Sequence, residues 1–302
     1  MNEKSTDNSI TDIVKACSRR AIQCLQTVEH ELLNSVGDRF LSSELATIRA
    51  KLMQAIAGLD SNGTEVTATG ADESEGSTSR RIQSNLARAQ QSLRTISDVC
   101  RKQDSGLSAR VEQLFAEANI LERATLMTVF SIENLNGSGL YVLTACALSK
   151  PETRNPNLAG SVKIAEAVFT KRIEQLIDGG VELIQLRDKR LSDRQLIKAG
   201  RMLTALTRNT STRWIMNDRA DLSLVTGADG VHLGQDDLPV SSARQILGAT
   251  KLIGVSTHEM EQARQAVRDG ANYIGVGPVF PSQTKSFDDF PGLEFVRQLA
   301  SE

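Results

Sequence analysis

Several features that define whole classes of protein are missing from this sequence. Its four cysteines are scattered and form no CxxC pair: Cys17, Cys24, Cys100 and Cys146. We therefore expect neither a disulfide framework nor a zinc site, and interpret the cysteines as reduced thiols of a cytoplasmic protein. The first residues are polar with no apolar signal region, and no uninterrupted apolar run approaches the roughly 20 residues of a membrane span. No contact with a membrane is predicted.

An excess of positive charge is also missing. The 35 Lys and Arg residues are balanced by 37 Asp and Glu residues, which gives a net charge of -2. This balance argues against a nucleic-acid binder driven by bulk electrostatics, although it allows a local basic pocket. With 302 residues, of which 40% are hydrophobic, the chain can build one large domain or two moderate ones.

Proline is absent from the first half of the chain, as long helices prefer. Apolar residues recur there at helical spacing, which predicts helices near residues 22–32, 41–56, 80–102 and 108–130. Residues 60–79 contain no Lys or Arg and are rich in small and acidic residues, which indicates a flexible acidic linker. Residues 1–136 are therefore predicted to form an all-helical N-terminal domain.

An internal repeat lies within this helical half. Residues 20–28 match residues 88–96 at a constant offset of 68. Two copies of a helical hairpin, joined by the linker, would each bury one apolar stripe against the other. Chance similarity between two amphipathic helices is the alternative explanation.

After a turn-rich boundary at residues 134–139, β-rich segments alternate with helical ones. The predicted strands are residues 140–145, 181–186, 213–216, 230–233, 252–255 and 272–276. The predicted helices between them are residues 162–178, 193–208, 220–225, 240–247 and 260–269. This alternation with short connections predicts a parallel sheet, and the polar strand ends favour a TIM (β/α) barrel over residues 140–302.

Charged and polar side chains cluster at the ends of these strands. Gln185, Arg187 and Lys189 share one face of the second strand, which is typical of a site for a phosphorylated or carboxylated ligand. A strand running into a solvated turn is the alternative. Lys285 adds a cation after the sixth strand, and the loop before it offers hydroxyl and backbone N–H groups at residues 282–284.

Two carboxylates and two histidines complete the candidates. Asp218 and Asp237 follow neighbouring strands and could together hold Mg²⁺, although Asp218 could instead cap its loop. His232 is expected to be a packed strand residue, whereas His258 at a strand end is a candidate acid or base.

Five motifs in order resemble the thiamine-phosphate synthase family. They are Gln-Leu-Arg-Asp-Lys at 185–189, Asn-Asp-Arg-Ala-Asp at 217–221, Gly-Ala-Asp-Gly-Val-His-Leu-Gly-Gln at 227–235, Gly-Val-Ser-Thr-His at 254–258 and Gly-Val-Gly-Pro-Val-Phe-Pro at 275–281. The resemblance implies a TIM barrel and a Mg²⁺-dependent transferase. That enzyme joins 4-amino-5-hydroxymethyl-2-methylpyrimidine diphosphate to a thiazole phosphate and releases diphosphate. The helical half is similar to an extension of longer bacterial members.

The resemblance also implies roles for individual residues. The residues implied to hold the pyrimidine diphosphate are Gln185, Leu186, Arg187, Asp188, Lys189, Asn217, Ser256 and Lys285. Among them Arg187, Lys189 and Lys285 would act catalytically by neutralising the leaving diphosphate. Asp218 and Asp237 would hold Mg²⁺. The thiazole phosphate would lie on Ser282, Gln283 and Thr284, with Ser282 where the family usually has Thr.

One departure from the family pattern leaves the function open. Six strands are predicted, whereas the resemblance implies eight, so we expect either a fragment or a truncated product with a damaged thiazole site. A thiazole tautomerase-like isomerase on the same fold is one alternative. A non-catalytic remnant that acts as an interaction protein is another. The expected partners are small molecules, with no nucleic acid, and the sequence is compatible with a homo-oligomer.

Overall fold

A computed structural model describes residues 3–57, 77–135, 137–146, 158–280 and 291–302. The chain falls into two compact units. The first comprises Met1–Val129 with Ala300–Glu302, and the second comprises Phe130–Leu299. The second unit begins ten residues before position 140, and the domain bounds 1–136 and 140–302 stay a prediction. Most of the predicted acidic linker, up to residue 76, lies outside the described residues.

The first unit is helical, as predicted. Its helices are α1 (Glu3–Glu31), α2 (Arg39–Ile56), α3 (Thr78–Cys100) and α4 (Ser105–Leu135), with a π-helical turn at Leu32–Val36 after α1. Asp38 begins α2 by accepting a hydrogen bond from the Leu41 backbone N–H at 2.8 Å. The end of α4, from Phe130 onward, belongs to the second unit.

The two copies of the predicted repeat have matching environments. Thr27 donates its hydroxyl to the carbonyl of Gln23 at 3.1 Å, and Thr95 donates to the carbonyl of Gln91 at 2.8 Å. The leucines of both copies are fully buried: Leu25 and Leu93. These equivalent contacts support the duplication, which itself stays a prediction.

The second unit alternates strands and helices. Its strands are β1 (Tyr141–Thr144), β2 (Leu183–Leu186), β3 (Arg213–Asn217), β4 (Gly230–Leu233), β5 (Leu252–Thr257) and β6 (Tyr273–Val276). Its helices are α5 (Leu158–Asp178), α6 (Asp193–Thr207), α7 (Ala220–Thr226), α8 (Val240–Leu247), α9 (Met260–Arg268) and α10 (Gly292–Ala300). Of these elements, only α10 is missing from the sequence-based prediction. None of the helices in the described part of the chain is both long and apolar enough to cross a membrane.

All strand pairs are parallel, and the strands lie side by side in chain order. The apolar residues on the outer face of the sheet, Ile184 and Trp214 among them, form a core with the surrounding helices. On the inner face, Leu183, Ile215 and Leu252 pack together. This division follows from the alternation of side chains along each strand.

The sheet curves strongly enough for its two edge strands to approach each other. The hydroxyl groups of Tyr141 in β1 and Tyr273 in β6 lie 3.0 Å apart. These edge strands do not pair in the described residues, so the structure shows a six-stranded half-barrel. The α/β class and the six strands of the prediction are confirmed, but a closed TIM barrel is not.

Candidate functional site

A cavity of about 690 Å³ opens at the carboxyl ends of the strands. All six strands contribute to its lining, through Tyr141, Gln185, Asn217, His232, Ser256 and Gly275. In parallel α/β sheets this edge is where ligands bind, because helix starts and strand ends meet there. The sequence-based prediction of a polar ring at this edge is confirmed.

The end of β2 supplies cations to the cavity. Gln185, Arg187 and Lys189 all line it, as the alternation of the strand predicts. Gln185 is only 2% exposed, whereas Lys189 is exposed. The buried amide thus forms part of the cavity wall, while the charged side chains lie nearer its mouth.

Two of the predicted substrate-binding residues point elsewhere. The side chain of Leu186 is fully buried in the core between the sheet and its helices. Asp188 accepts two hydrogen bonds from the Arg190 guanidinium, each 3.0 Å long. Neither side chain lines the cavity, in contrast to those of Gln185, Arg187 and Lys189. The predicted contact of Leu186 and Asp188 with the substrate stays a prediction.

The two candidate metal ligands, Asp218 and Asp237, lie next to each other in the lining of the cavity. Asp218 directly follows β3, and Asp237 lies in the loop after β4. Burial raises the pKa of Asp218, and the charge and hydrogen bonding of Asp237 raise it further, whereas Lys189 and Arg187 act in the opposite direction. The Lys189 ammonium lies 3.6 Å from the Asp218 carboxylate.

The backbone holds this carboxylate pair in an uncommon geometry. Asp218 has a φ of 62°, and it is the one non-glycine residue with positive φ in the part of the chain that the structure describes. Asp237 accepts a hydrogen bond from the Gly234 N–H at 2.6 Å. Non-glycine residues in this left-handed region cost conformational energy and are found disproportionately at functional sites.

The donor set of the pair fits a magnesium ion. The described residues contain no group of three or more His, Cys, Asp and Glu side chains arranged for a metal. Asp218 and Asp237 would therefore supply two carboxylates and leave the other positions to water and substrate oxygens. Mg²⁺ favours this arrangement, whereas zinc prefers more protein ligands.

An arginine missed by the sequence-based reasoning braces the loop beside Asp218. Arg219 donates to Asp193 at 2.7 Å and to Asp221 at 2.6 Å. These two ion pairs connect the starts of α6 and α7 around the strained residue. The Asn-Asp-Arg-Ala-Asp motif contains Arg219, but its spacing alone does not reveal the partner on α6.

The two candidate histidines occupy different positions. His232 lies inside the half-barrel, with Nε2 at 2.9 Å from the hydroxyl of Ser256. His258 lines the mouth of the cavity, and its Nδ1 is in hydrogen-bonding contact with the carbonyl of Gly277. His232 packs against Ser256 and Tyr273 as expected, but it also lines the cavity, so its lack of a catalytic role stays a prediction.

The sequence of this chain is similar to those of known proteins. A thiamine-phosphate synthase from Rhodopirellula baltica is 36% identical over 308 aligned positions, which cover 97% of this chain and 78% of the relative. The chain belongs to the thiamine-phosphate synthase family. The family model described as thiamine monophosphate synthase matches residues 159–302.

Other members of the thiamine-phosphate synthase family show the same likeness. A thiamine-phosphate synthase from Synechocystis is 32% identical and aligns with 98% of this chain and 82% of its own length. Both long alignments include the helical first unit, so this unit is shared with longer members of the family. A solved thiamine phosphate pyrophosphorylase from Pyrococcus furiosus is 31% identical, covers 54% of this chain and 70% of its own, and has a TM-score of 0.42.

Part of the family's predicted site lies outside the described residues. Ser282, Gln283, Thr284 and Lys285 fall in the segment 281–290, so their roles stay predictions. Conversely, the structure adds two tyrosines that the motif comparison misses. Tyr141 and Tyr273 begin β1 and β6, and each contacts polar residues of the cavity wall.

Proposed function

We propose that this chain transfers the pyrimidine-methyl group of 4-amino-5-hydroxymethyl-2-methylpyrimidine diphosphate to the nitrogen of a thiazole phosphate, forming thiamine phosphate and diphosphate. Membership of the thiamine-phosphate synthase family supports the reaction class. The observation that carries the proposal is a single cavity in which Arg187 and Lys189 lie close to the Asp218 and Asp237 carboxylates. That combination suits a diphosphate ester.

The cations would bind the diphosphate and stabilise it as it leaves. Arg187 can donate two parallel hydrogen bonds to phosphate oxygens, and Lys189 provides a point charge. Lys189 lies 3.6 Å from Asp218, so the ammonium can contact the carboxylate and the diphosphate at the same time. Lys285 is proposed as a further cation, on the basis of its motif.

Asp218 and Asp237 would hold Mg²⁺ beside these cations. When bound, the ion supplies positive charge that compensates the charge developing on the leaving diphosphate. The raised pKa of Asp218 supports this role, because burial and the neighbouring Asp237 disfavour its carboxylate, and a bound cation would offset both effects.

The reaction balances without an external acid or base. The C–O bond to the diphosphate breaks, and its electron pair stays on the departing oxygen. The thiazole nitrogen then uses its lone pair to form the new C–N bond. Because neither step transfers a proton, we assign no acid or base role to His232 or His258. Positioning within the cavity and electrostatic stabilisation supply the acceleration.

We also propose a cytoplasmic location, with small molecules as substrates. All four cysteines are free, which agrees with a reducing compartment. Asn217 and Ser256 line the same cavity as the cations and the buried amide of Gln185, where they would contact the pyrimidine diphosphate. Residues 282–284 are proposed to bind the thiazole phosphate.

A direct test is to mix the chain with pyrimidine diphosphate, thiazole phosphate and Mg²⁺. The proposal expects thiamine phosphate and diphosphate in equal amounts. Conversion of a thiazole tautomer without diphosphate release would instead indicate the isomerase alternative. A folded protein with neither activity would contradict an enzymatic function for this chain.

A further inference from the structure

Five side chains form one continuous line of hydrogen bonds along the inner wall of the half-barrel. The Gln185 amide N–H donates to the hydroxyl of Tyr141 at 2.6 Å, and that hydroxyl lies 3.0 Å from the hydroxyl of Tyr273. The line continues from Tyr273 to Nδ1 of His232 at 3.3 Å and from Nε2 of His232 to Ser256 at 2.9 Å. It thus connects two proposed substrate-binding residues through three residues with no role in the proposed reaction.

The fold makes specific room for the rings of this line. A Cβ atom at position 254, now glycine, would lie 2.1 Å from Cζ of Tyr273. A Cβ atom at Gly275 would lie 3.1 Å from Cε1 of His232. The two tyrosine rings meet edge to face, with centroids 5.7 Å apart. Both tyrosines of the chain take part. The arrangement therefore requires small residues on β5 and β6.

The donors and acceptors of the line can be assigned in one direction. Burial raises the pKa of Tyr141 and of Tyr273, so each hydroxyl keeps its proton and has one hydrogen to donate. In the contact between Tyr141 and Tyr273 either hydroxyl could donate; we assign the donor role to Tyr141, because its oxygen already accepts from Gln185. Tyr273 then donates to Nδ1 of His232, which leaves Nε2 as the protonated nitrogen of a neutral imidazole.

This direction fixes what the two ends of the line present to the cavity. With one of its two N–H groups engaged by Tyr141, the Gln185 amide has its oxygen left to accept, and that oxygen has no hydrogen-bond partner among the described residues. Because Nε2–H of His232 donates to the Ser256 oxygen, the Ser256 hydroxyl proton is left to donate. The cavity wall thus offers one acceptor and one donor, to a ligand with an amino group and a ring nitrogen.

We propose that Tyr141, Tyr273 and His232 are positioning residues that fix the polarity of Gln185 and Ser256, so that the cavity selects an aminopyrimidine over the corresponding oxopyrimidine. This inference rests on the proposed function. An oxo group in place of the amine would set an acceptor against the amide oxygen of Gln185, and a protonated ring nitrogen could no longer accept the Ser256 hydroxyl proton. Discrimination of this kind is strong when buried polar groups are left unpaired.

The test compares two substrates across variants that remove one hydroxyl each. Tyr273→Phe interrupts the line in its middle, and Tyr141→Phe interrupts it beside Gln185. We expect each variant to lower the ratio of kcat/KM for the aminopyrimidine diphosphate over its 4-oxo analogue by about tenfold, as expected for one misoriented hydrogen bond. The change should lie mainly in KM. Inhibition by inorganic diphosphate should stay unchanged, since the cations are untouched.

A control variant separates this effect from a general loss of packing. Thr204→Val removes a hydroxyl that accepts from Trp214 Nε1 at 3.0 Å on the outer side of the sheet. This variant should lower stability and leave the substrate ratio as it is in the wild type. If both tyrosine variants keep the wild-type ratio within about twofold while remaining folded, the positioning role is overturned.

A second readout needs no substrate. In the ¹⁵N NMR spectrum of histidine-labelled protein, His232 should have protonated Nε2 and unprotonated Nδ1, and Tyr273→Phe should shift that tautomer equilibrium. A wild-type His232 with the proton on Nδ1 would reverse the line and overturn the inference. Wild-type protein with the expected tautomer but no aminopyrimidine turnover would instead contradict the proposed function and the assignment of the ligand.

Discussion

Replacing Asp218 by asparagine should have opposite effects on the metal-free and metal-bound protein. The folded protein raises the pKa of Asp218, through burial and then through Asp237. Because the pKa of Asp218 is raised in the folded protein, the protonated side chain stabilises the fold. This contribution is fully present below the unfolded-state pKa and is lost as the pH rises through the folded-state pKa. At neutral pH the Asp218 carboxylate therefore destabilises the metal-free protein, and Asp218→Asn should relieve that cost.

The structure sets the size of this effect. The Asp218 side chain is 28% exposed, so solvent screens much of its repulsion with Asp237. We expect Asp218→Asn to stabilise the metal-free protein by up to about 1 kcal/mol. Asparagine also tolerates the φ of 62° at this position, whereas alanine would add backbone strain.

With the metal present, the order should reverse. Loss of one of two carboxylate ligands removes a charge-assisted contact of about 1.5–3 kcal/mol, which corresponds to roughly 10- to 100-fold weaker Mg²⁺ binding. Thermal unfolding with and without Mg²⁺ and diphosphate measures both effects, because a ligand raises the stability of the folded protein more when it binds more tightly. Thiamine phosphate formation should fall by about 100-fold or more.

The matched control is Glu174→Gln, which makes the same change of charge at an exposed position of α5. It should leave the Mg²⁺-dependent shift as in the wild type. An Asp218→Asn protein whose Mg²⁺ dependence equals that of the control would refute the assignment of Asp218 as a metal ligand.

Three further predictions concern other parts of the molecule. Arg187→Ala should raise the KM for pyrimidine diphosphate by about 10- to 100-fold, with partial recovery in Arg187→Lys, as initial rates would show; an unchanged KM would contradict its contact with diphosphate. Trp214→Ala should destabilise the second unit by about 3–5 kcal/mol in urea unfolding followed by circular dichroism, because this side chain is only 1% exposed; a cost near zero would contradict its place in the core. Hydrogen bonds from Arg81 hold the pKa of Glu31 below its usual value, so Glu31→Gln should cost about 1 kcal/mol at neutral pH. That difference should vanish as the pH falls through the folded pKa of Glu31, and a difference that persists in acid would exclude the ion pair as its source.

Local patterns in the sequence are sufficient to predict most of the strands and helices. The predicted strand 230–233 matches β4, and the predicted helix 240–247 matches α8, because Gly227 and Gly248 end the elements next to them. The face shared by Gln185, Arg187 and Lys189 was also predictable, since side chains alternate along a strand. The same alternation excludes the Leu186 and Asp188 side chains from the cavity, which the motif resemblance does not take into account.

The remaining features depend on tertiary structure. Tyr141 and Tyr273 are 132 positions apart, and only the curvature of the sheet brings their hydroxyls together. The positive φ of Asp218 arises where β3 turns into α7, and aspartate is a residue type that also tolerates ordinary backbone angles. Neither feature leaves a periodic signal in the sequence.

The most direct test of the proposed function is a ³¹P NMR time course on this chain with pyrimidine diphosphate, thiazole phosphate and Mg²⁺. The cavity at the strand ends predicts that the diphosphate ester signals are replaced by free diphosphate and thiamine phosphate in a one-to-one ratio. This conversion should stop when Mg²⁺ is chelated and resume when it is restored. Ester signals that persist unchanged with folded protein, or release of diphosphate without thiamine phosphate, would contradict the proposed transfer.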